Sequence, residues 1–173
     1  MIERWDILNS NGEPTGRTVV RGDGVLAPGE YHLVVHIWVL SKDGKYLIQR
    51  RSDDKKLMPG EWAATGGAAV AGENSFEAAA RELYEELGIS STPETLTLLS
   101  RIKRRNSILD IWVITVDLPV TELHLQQSEV AEASWVTYNK LKEMIATGKF
   151  HQYGNDYFDT VFSGILTYRG ANI

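Results

Sequence analysis

Gly67-Ala68-Ala69-Val70-Ala71-Gly72-Glu73-Asn74-Ser75-Phe76-Glu77-Ala78-Ala79-Ala80-Arg81-Glu82-Leu83-Tyr84-Glu85-Glu86-Leu87-Gly88-Ile89 is the stretch on which the fold turns. Its second half has the period of an amphipathic helix. Asn74 or Ser75 supplies the N-terminal cap, and Phe76, Ala79, Ala80, Leu83 and Leu87 form an apolar stripe. Gly88 stands where a glycine closes a helix. Residues at i, i+3 and i+4 are neighbours on a helix, so Glu82, Glu85 and Glu86 cluster. Exposed like charges at that spacing repel by roughly 0.2–0.5 kcal/mol per pair, and Arg81 is the one nearby cation. Two readings of the cluster stand. It is a solvated acidic face, as charge runs usually are, or a set of oxygen ligands whose repulsion a hard cation such as Mg²⁺ converts into binding.

Outward from this helix, strand and helix signals alternate without a repeating βα period. Trp5 to Leu8 and Arg17 to Val20 flank a turn-rich centre, Asn9 to Gly16, and read as a hairpin. His32 to Leu40 is rich in β-branched and aromatic residues and reads as a buried strand. Lys42-Asp43-Gly44 turns the chain so that Lys45 to Arg50 returns antiparallel. Ser52 to Gly60 reads as a loop, Trp62 to Val70 as extended. Thr95 to Ile102 and Ile108 to Asp117 alternate like strands around the basic turn Lys103 to Asn106. A short strand (Ser134 to Val136) and helices over Tyr138 to Thr147 and Asp156 to Tyr168 complete the chain. The pattern predicts a mixed sheet covered by helices, not a parallel Rossmann-like sheet.

Composition narrows the function. The 173 residues, 43% hydrophobic and 24% charged, suit one sizeable core in one domain spanning residues 1–173. A formal net charge of -5 argues against polymeric nucleic acid as a partner. An acidic protein still binds small anions when a divalent cation inverts the local field. There are no cysteines, which removes disulfides, thiolate metal sites and cysteine nucleophiles. The first residues lack a signal-peptide pattern and no apolar run approaches about 20 residues, so a membrane role is not expected and a cytoplasmic location is.

The spacing of Gly67, Glu73, Arg81, Glu82, Leu83, Glu85, Glu86, Gly88 and Ile89 resembles the box of the Nudix family, G-x5-E-x7-R-E-U-x-E-E-x-G-U, with U a bulky aliphatic residue. At average residue frequencies a chance match falls below about one in a million. The resemblance implies an α/β/α sandwich with a mixed β-sheet, carrying residues 1–30 as an N-terminal β-hairpin extension. It implies Mg²⁺ or Mn²⁺ held by Glu82, Glu85 and Glu86, with Glu86 foremost, and by a backbone carbonyl at Gly66 or Gly67. Arg81 would orient the glutamates, and Glu73 would support the loop or act through water. The general base is a box glutamate or a later one, Glu129 or Glu132; for these two a polar turn before the strand at Trp135 is the other reading. The implied reaction is attack of water on a diphosphate linkage in a nucleoside diphosphate or a related small molecule. A homodimer is left open.

A narrower resemblance spans roughly residues 3–136. Tyr31-His32-Leu33 to Trp38, Gln49-Arg50-Arg51-Ser52, Lys55 and Pro59-Gly60-Glu61-Trp62 are similar to the isopentenyl diphosphate isomerase branch of the superfamily. It implies that Arg51 and Lys55 hold the substrate diphosphate; an exposed basic loop is the other reading. The isomerase cysteine falls on Gly67, and its metal histidines fall on Ala69 and Val25. His32 survives and Asp110 lies near the catalytic glutamate position. For His32 and His36 on the apolar strand, a hydrogen-bonded core histidine competes with a ligand. The alternatives to hydrolysis are an isomerase-like enzyme acting on isoprenoid diphosphates and a non-catalytic nucleotide-sensing domain. Trp5, Trp38, Trp62, Trp112 and Trp135 offer base stacking or core packing, with packing expected for at least three.

Overall fold

The computed structural model describes residues 2–22 and 24–171. Strands β1 (Arg4–Leu8) and β2 (Pro14–Val20) form the expected antiparallel hairpin. Asn9 closes its turn, the side-chain oxygen accepting from the Asn11 and Glu13 N–H groups at 2.9 and 3.1 Å.

Strand β3 (His32–Leu40) organises the rest. It runs parallel to β8 (Ser107–Thr115) over nine residue pairs, and β7 (Thr97–Lys103) lies antiparallel beyond β8. On the other edge, β4 (Tyr46–Arg51) pairs with β3 only at Val39 and Leu40, while its far side pairs with β9 (Val130–Val136) from Tyr46 to Arg51. The two strands therefore diverge. Into the wedge go β5 (Trp62–Ala63), paired with β4, and β6 (Thr65–Ala68), paired with β3 from Val34 to Ile37. The single extended segment expected over Trp62 to Val70 is thus two short strands broken at Ala64, because its halves serve different partners.

Side chains on β3 alternate between two cores. Val35, Ile37 and Val39 pack with Leu83 and Leu87 of helix α1 (Ser75–Leu87). Trp38 and Leu40 pack with helices α2 (Tyr138–Ala146) and α3 (Asn155–Ala171) on the opposite face. Each large apolar side chain so buried contributes about 1.5–3 kcal/mol, and the mixed sheet is held between helical layers as an α/β/α sandwich.

Helix α1 is closed at both ends. Asn74 is its N-cap and forms a reciprocal box with Glu77, at 3.0 and 2.8 Å, a cap of about 0.5–2 kcal/mol. Gly88 takes the left-handed conformation at φ 73°, which favours glycine. The buried stripe differs from the expected one. It comprises Ala78, Ala79, Leu83, Glu86 and Leu87, while Phe76 and Ala80 are half-buried. The helix is rotated toward Glu86, which enters the wedge between β3 and β4. The strand expected over Ser134 to Val136 starts earlier, at Val130, because β4 pairs it along its whole length.

Candidate active site

Helix α1, the loop before it and the β3–β4 wedge together build a charged cluster. Arg81 is its hub. Its Nε and Nη2 donate to Glu73 at 2.7 and 3.0 Å, Nη1 donates to Glu82 at 2.9 Å and Glu85 at 3.1 Å, and Nη2 reaches the Ala68 carbonyl at 3.2 Å. Glu73 also accepts from the Val70 N–H at 3.0 Å, so it braces the loop. One guanidinium thus sets the direction of three carboxylates through charge-assisted bonds.

Glu86 stands apart from that hub. It is only 3% exposed, and its bonds come from neutral donors: Gln49 Nε2 at 2.8 Å and the Gly66 N–H at 3.3 Å. Thr65 Oγ1 donates to the Gln49 amide oxygen at 3.2 Å, which turns the amide nitrogen toward Glu86. Burial first, and the neighbouring Glu82 second, push the Glu86 carboxyl up to about 8. Burial also raises Glu82, against the pull of Arg81. Backbone must come close here. A Cβ on Gly66 would lie 2.2 Å from the Val35 carbonyl oxygen, and one on Gly67 2.3 Å from Glu82 Oε1.

These carboxylates line a cleft of about 810 Å³, within the range of small-molecule sites. Arg51 and Lys55 reach it from the 52–60 loop and its edge, and Glu129 from the turn before β9. Lys55 Nζ is 2.6 Å from Glu129, while Arg51 Nε donates to the Leu57 carbonyl at 3.1 Å. Glu129 is therefore brought to the cluster. Glu132 is not among the cleft walls; it sits on β9, 3.5 Å from Arg50.

The histidines divide. His36 is a core residue, its Nδ1 2.9 Å from the Tyr157 hydroxyl, and burial pushes it down to about 3, so it is neutral. His32 lines the cleft and stacks on Trp5. Asp110 is fully buried and bound by Arg101 at 2.6 and 2.7 Å, and Ala69 is buried without a metal-binding group.

Among the described residues, no three acidic or histidine side chains already converge on one cation centre. Arg81 draws Glu82 and Glu85 toward itself, and Glu86 leans on Gln49. The donors are nevertheless hard oxygens on one cleft, in excess of the cations that hold them, beside two glycines where backbone lies bare. That set suits Mg²⁺ or Mn²⁺ and gives a soft metal nothing to bind. Sequence reasoning named Gln49 only within the run Gln49-Arg50-Arg51-Ser52 and gave it no role, although a polar residue following Leu47 on the same face of a buried strand was a usable signal. It also left Trp5 undistinguished among five tryptophans.

A mixed sheet between helical layers, with a glutamate-bearing helix end set against a split in that sheet, defines the Nudix class of fold. The NUDIX domain model matches residues 30–154. The chain is 40% identical over 153 residues to an uncharacterized Nudix hydrolase of Listeria monocytogenes, covering 88% of this chain and 90% of that one. It is 29% identical to the isopentenyl-diphosphate Delta-isomerase of Streptomyces griseus, over 84% of this chain and 76% of the enzyme. The crystal structure of DR0079 from Deinococcus radiodurans superposes with a TM-score of 0.71 at 25% identity, covering 86% of this chain and 91% of that one. The chain belongs to the Nudix family, and its enzyme class is that of the Nudix hydrolases.

Proposed function

We propose that the protein hydrolyses a diphosphate linkage in a nucleoside diphosphate or a nucleoside-diphosphate-linked small molecule by attack of water, with Mg²⁺ or Mn²⁺ as cofactor. The observation that carries this reading is Glu86, a buried carboxyl beside Glu82, bonded by neutral donors and lining a cleft that Arg51 and Lys55 also line. Glu82, Glu85, Glu86 and the Gly66 carbonyl would hold the metal, which neutralises phosphoryl oxygens and acidifies water when bound. Arg81 orients Glu82 and Glu85. Arg51 grips the diphosphate through its planar fork and Lys55 as a point charge. Glu129 accepts the proton of the attacking water as general base.

On this reading residues 1–173 act as one domain in the cytoplasm, with 1–30 as its hairpin extension. Among the described residues no helix is long and apolar enough to cross a membrane. Isomerase chemistry is disfavoured at position 67, where glycine stands at the isomerase cysteine position in a chain without cysteine.

The test is Glu86→Gln, checked for a native circular dichroism spectrum, against nucleoside diphosphates, sugar nucleotides, dinucleotides and isopentenyl diphosphate, with products identified by mass. Turnover of the best nucleotide should fall at least about 100-fold, the scale of losing a positioned charged group. Undiminished turnover would contradict the assignment, and dimethylallyl diphosphate as a product would replace it with isomerisation.

A further inference from the structure

The five tryptophans are not equivalent. Trp38 is fully buried and its indole N–H donates to the Tyr157 hydroxyl at 3.0 Å. Trp112 donates to Ser75 Oγ at 3.0 Å, and Trp135 to the Leu118 carbonyl at 2.9 Å. Trp62 packs on the core beneath α2 and α3. Trp5 differs on both counts: among the described tryptophans it lines the cleft, and its Nε1 is buried without an acceptor. A buried donor left unpaired calls for a reason. The Trp5 ring is held instead by its face, which stacks on His32, whose Nδ1 is likewise buried without a partner.

The hairpin places that ring deliberately. Along an extended strand alternate side chains face opposite ways. Asp6 and Leu8 line a smaller cavity of about 190 Å³, while Glu3 and Trp5 line the large cleft. Two bonds hold the register against the loop that carries Glu73: Ala71 N–H to the Arg4 carbonyl and Gly72 N–H to Asp6 Oδ2, each 2.8 Å. Behind Trp5 lies His32, its ring centroid 4.1 Å away and the planes 9° from parallel. Burial pushes His32 down to about 4, so the pair is an uncharged aromatic column at neutral pH.

We propose that the Trp5–His32 column is the base-stacking wall of the cleft, so that the substrate carries a planar nucleobase whose ring extends the column. This rests on the reading of the cleft as a nucleoside-diphosphate site and adds its specificity determinant. Every nucleobase has a π-face that stacks on an aromatic ring, whereas a phosphate has none. The cleft is lined by the carboxylates of α1, the aromatic pair from β1 and β3, and the basic residues Arg51 and Lys55. That set of groups suits a molecule that carries both a diphosphate and a base.

The test compares wild type, Trp5→Leu and Trp5→Phe on ADP, GDP, CDP and UDP, on base-free phosphoribosyl diphosphate, and on geranyl diphosphate, all with Mg²⁺. For the best nucleotide, Trp5→Leu should raise KM at least about tenfold with little change in kcat, as base–aromatic stacking allows. Trp5→Phe, which keeps a ring, should recover most of it, and KM for phosphoribosyl diphosphate should move less than about twofold. Equal losses on nucleotide and base-free substrate mean a merely structural wall and overturn the inference. So does geranyl diphosphate depending on Trp5 as strongly as the nucleotides do. A separate readout is fluorescence quenching by the same nucleotides in EDTA, which should lose its Trp5 component in Trp5→Phe. Turnover by wild type of no nucleoside diphosphate, sugar nucleotide or dinucleotide sinks the proposed function; quenching identical in wild type and Trp5→Phe sinks this inference whatever the turnover.

Discussion

Two arginines in this molecule each bind carboxylates that are at least partly buried or sit beside a buried one, and their charge balances differ. Arg101 on β7 grips Asp110, the residue directly across on β8, through two bonds of 2.6 and 2.7 Å. The pair is one for one. Arg81 on α1 binds Glu73, Glu82 and Glu85, with Glu86 buried next to them on Gln49. Here one cation faces four carboxyls. The first arrangement is complete as it stands, and nothing about it invites a ligand. The second holds surplus negative charge at a partly dry cleft, a state the fold tolerates because something else completes it.

Breaking the balanced pair should have the largest effect on stability. Arg101→Ala leaves the Asp110 carboxylate fully buried and unpaired, a loss of about 3–5 kcal/mol. Asp110→Ala should cost clearly less, because the Arg101 side chain is 48% exposed and its guanidinium can turn to water. Urea unfolding of both variants measures the difference. Equal losses would show that the pair is not organised around its buried member, and a drop in kcat with the fold intact would move Asp110 into the active site.

The unbalanced cluster should behave in the opposite sense. For Glu86, ionisation is disfavoured in the fold, with the folded value near 8 against 4.5 for the free group. The native state therefore binds more protons than the unfolded chain between those values, and Glu86 makes stability fall as pH rises from about 4.5 to 8. In EDTA, the Glu86→Gln protein lacks this slope. It should match wild type near pH 4.5 and be the more stable of the two at pH 8, although inactive. Mg²⁺ should then raise wild-type stability by about 2.7 kcal/mol at a hundredfold excess over Kd, with a smaller gain in Glu86→Gln. Thermal melts across pH, with and without Mg²⁺, read both effects; parallel curves would sink the charge-surplus argument.

How much of this was legible before the structure follows from which interactions are local. The period of Leu83 and Leu87, the cap at Asn74 and the glycine at 88 all act within a few residues, so α1 could be read directly. So could β3, whose apolar run needs no partner to be recognised. The divergence of β4 from β3 could not, because nothing in Tyr46 to Arg51 records that pairing passes from β3 to β5 along one edge while β9 holds the other. The burial of Glu86 depends on that wedge. Helical spacing places it with Glu82 and Glu85, and only the split sheet shows that it is more deeply buried than either and bonded to Gln49 instead of Arg81. The Arg101–Asp110 pair lies between these cases, since the tight turn at Arg104 to Asn106 sets the register that puts them opposite each other.

Lys55 and Glu129 sharpen the comparison because they share features of both arginine sites. They pair one for one at 2.6 Å, like Arg101 and Asp110, yet they line the cleft, and their side chains are 24% and 29% exposed. Partial solvation weakens the pair's hold on the fold, so Lys55→Met should cost only about 0.2–1 kcal/mol in urea unfolding. If Lys55 serves the diphosphate, the same substitution should raise KM several-fold and leave kcat less affected. Glu129→Gln should instead lower kcat and change KM little, since a general base acts on the attacking water and not on substrate affinity. A pair that is cheap to the fold and costly to turnover belongs with the Arg81 cluster. The reverse outcome, a large stability loss with normal kinetics, would place it with Arg101 and Asp110 and return the general base to the box glutamates.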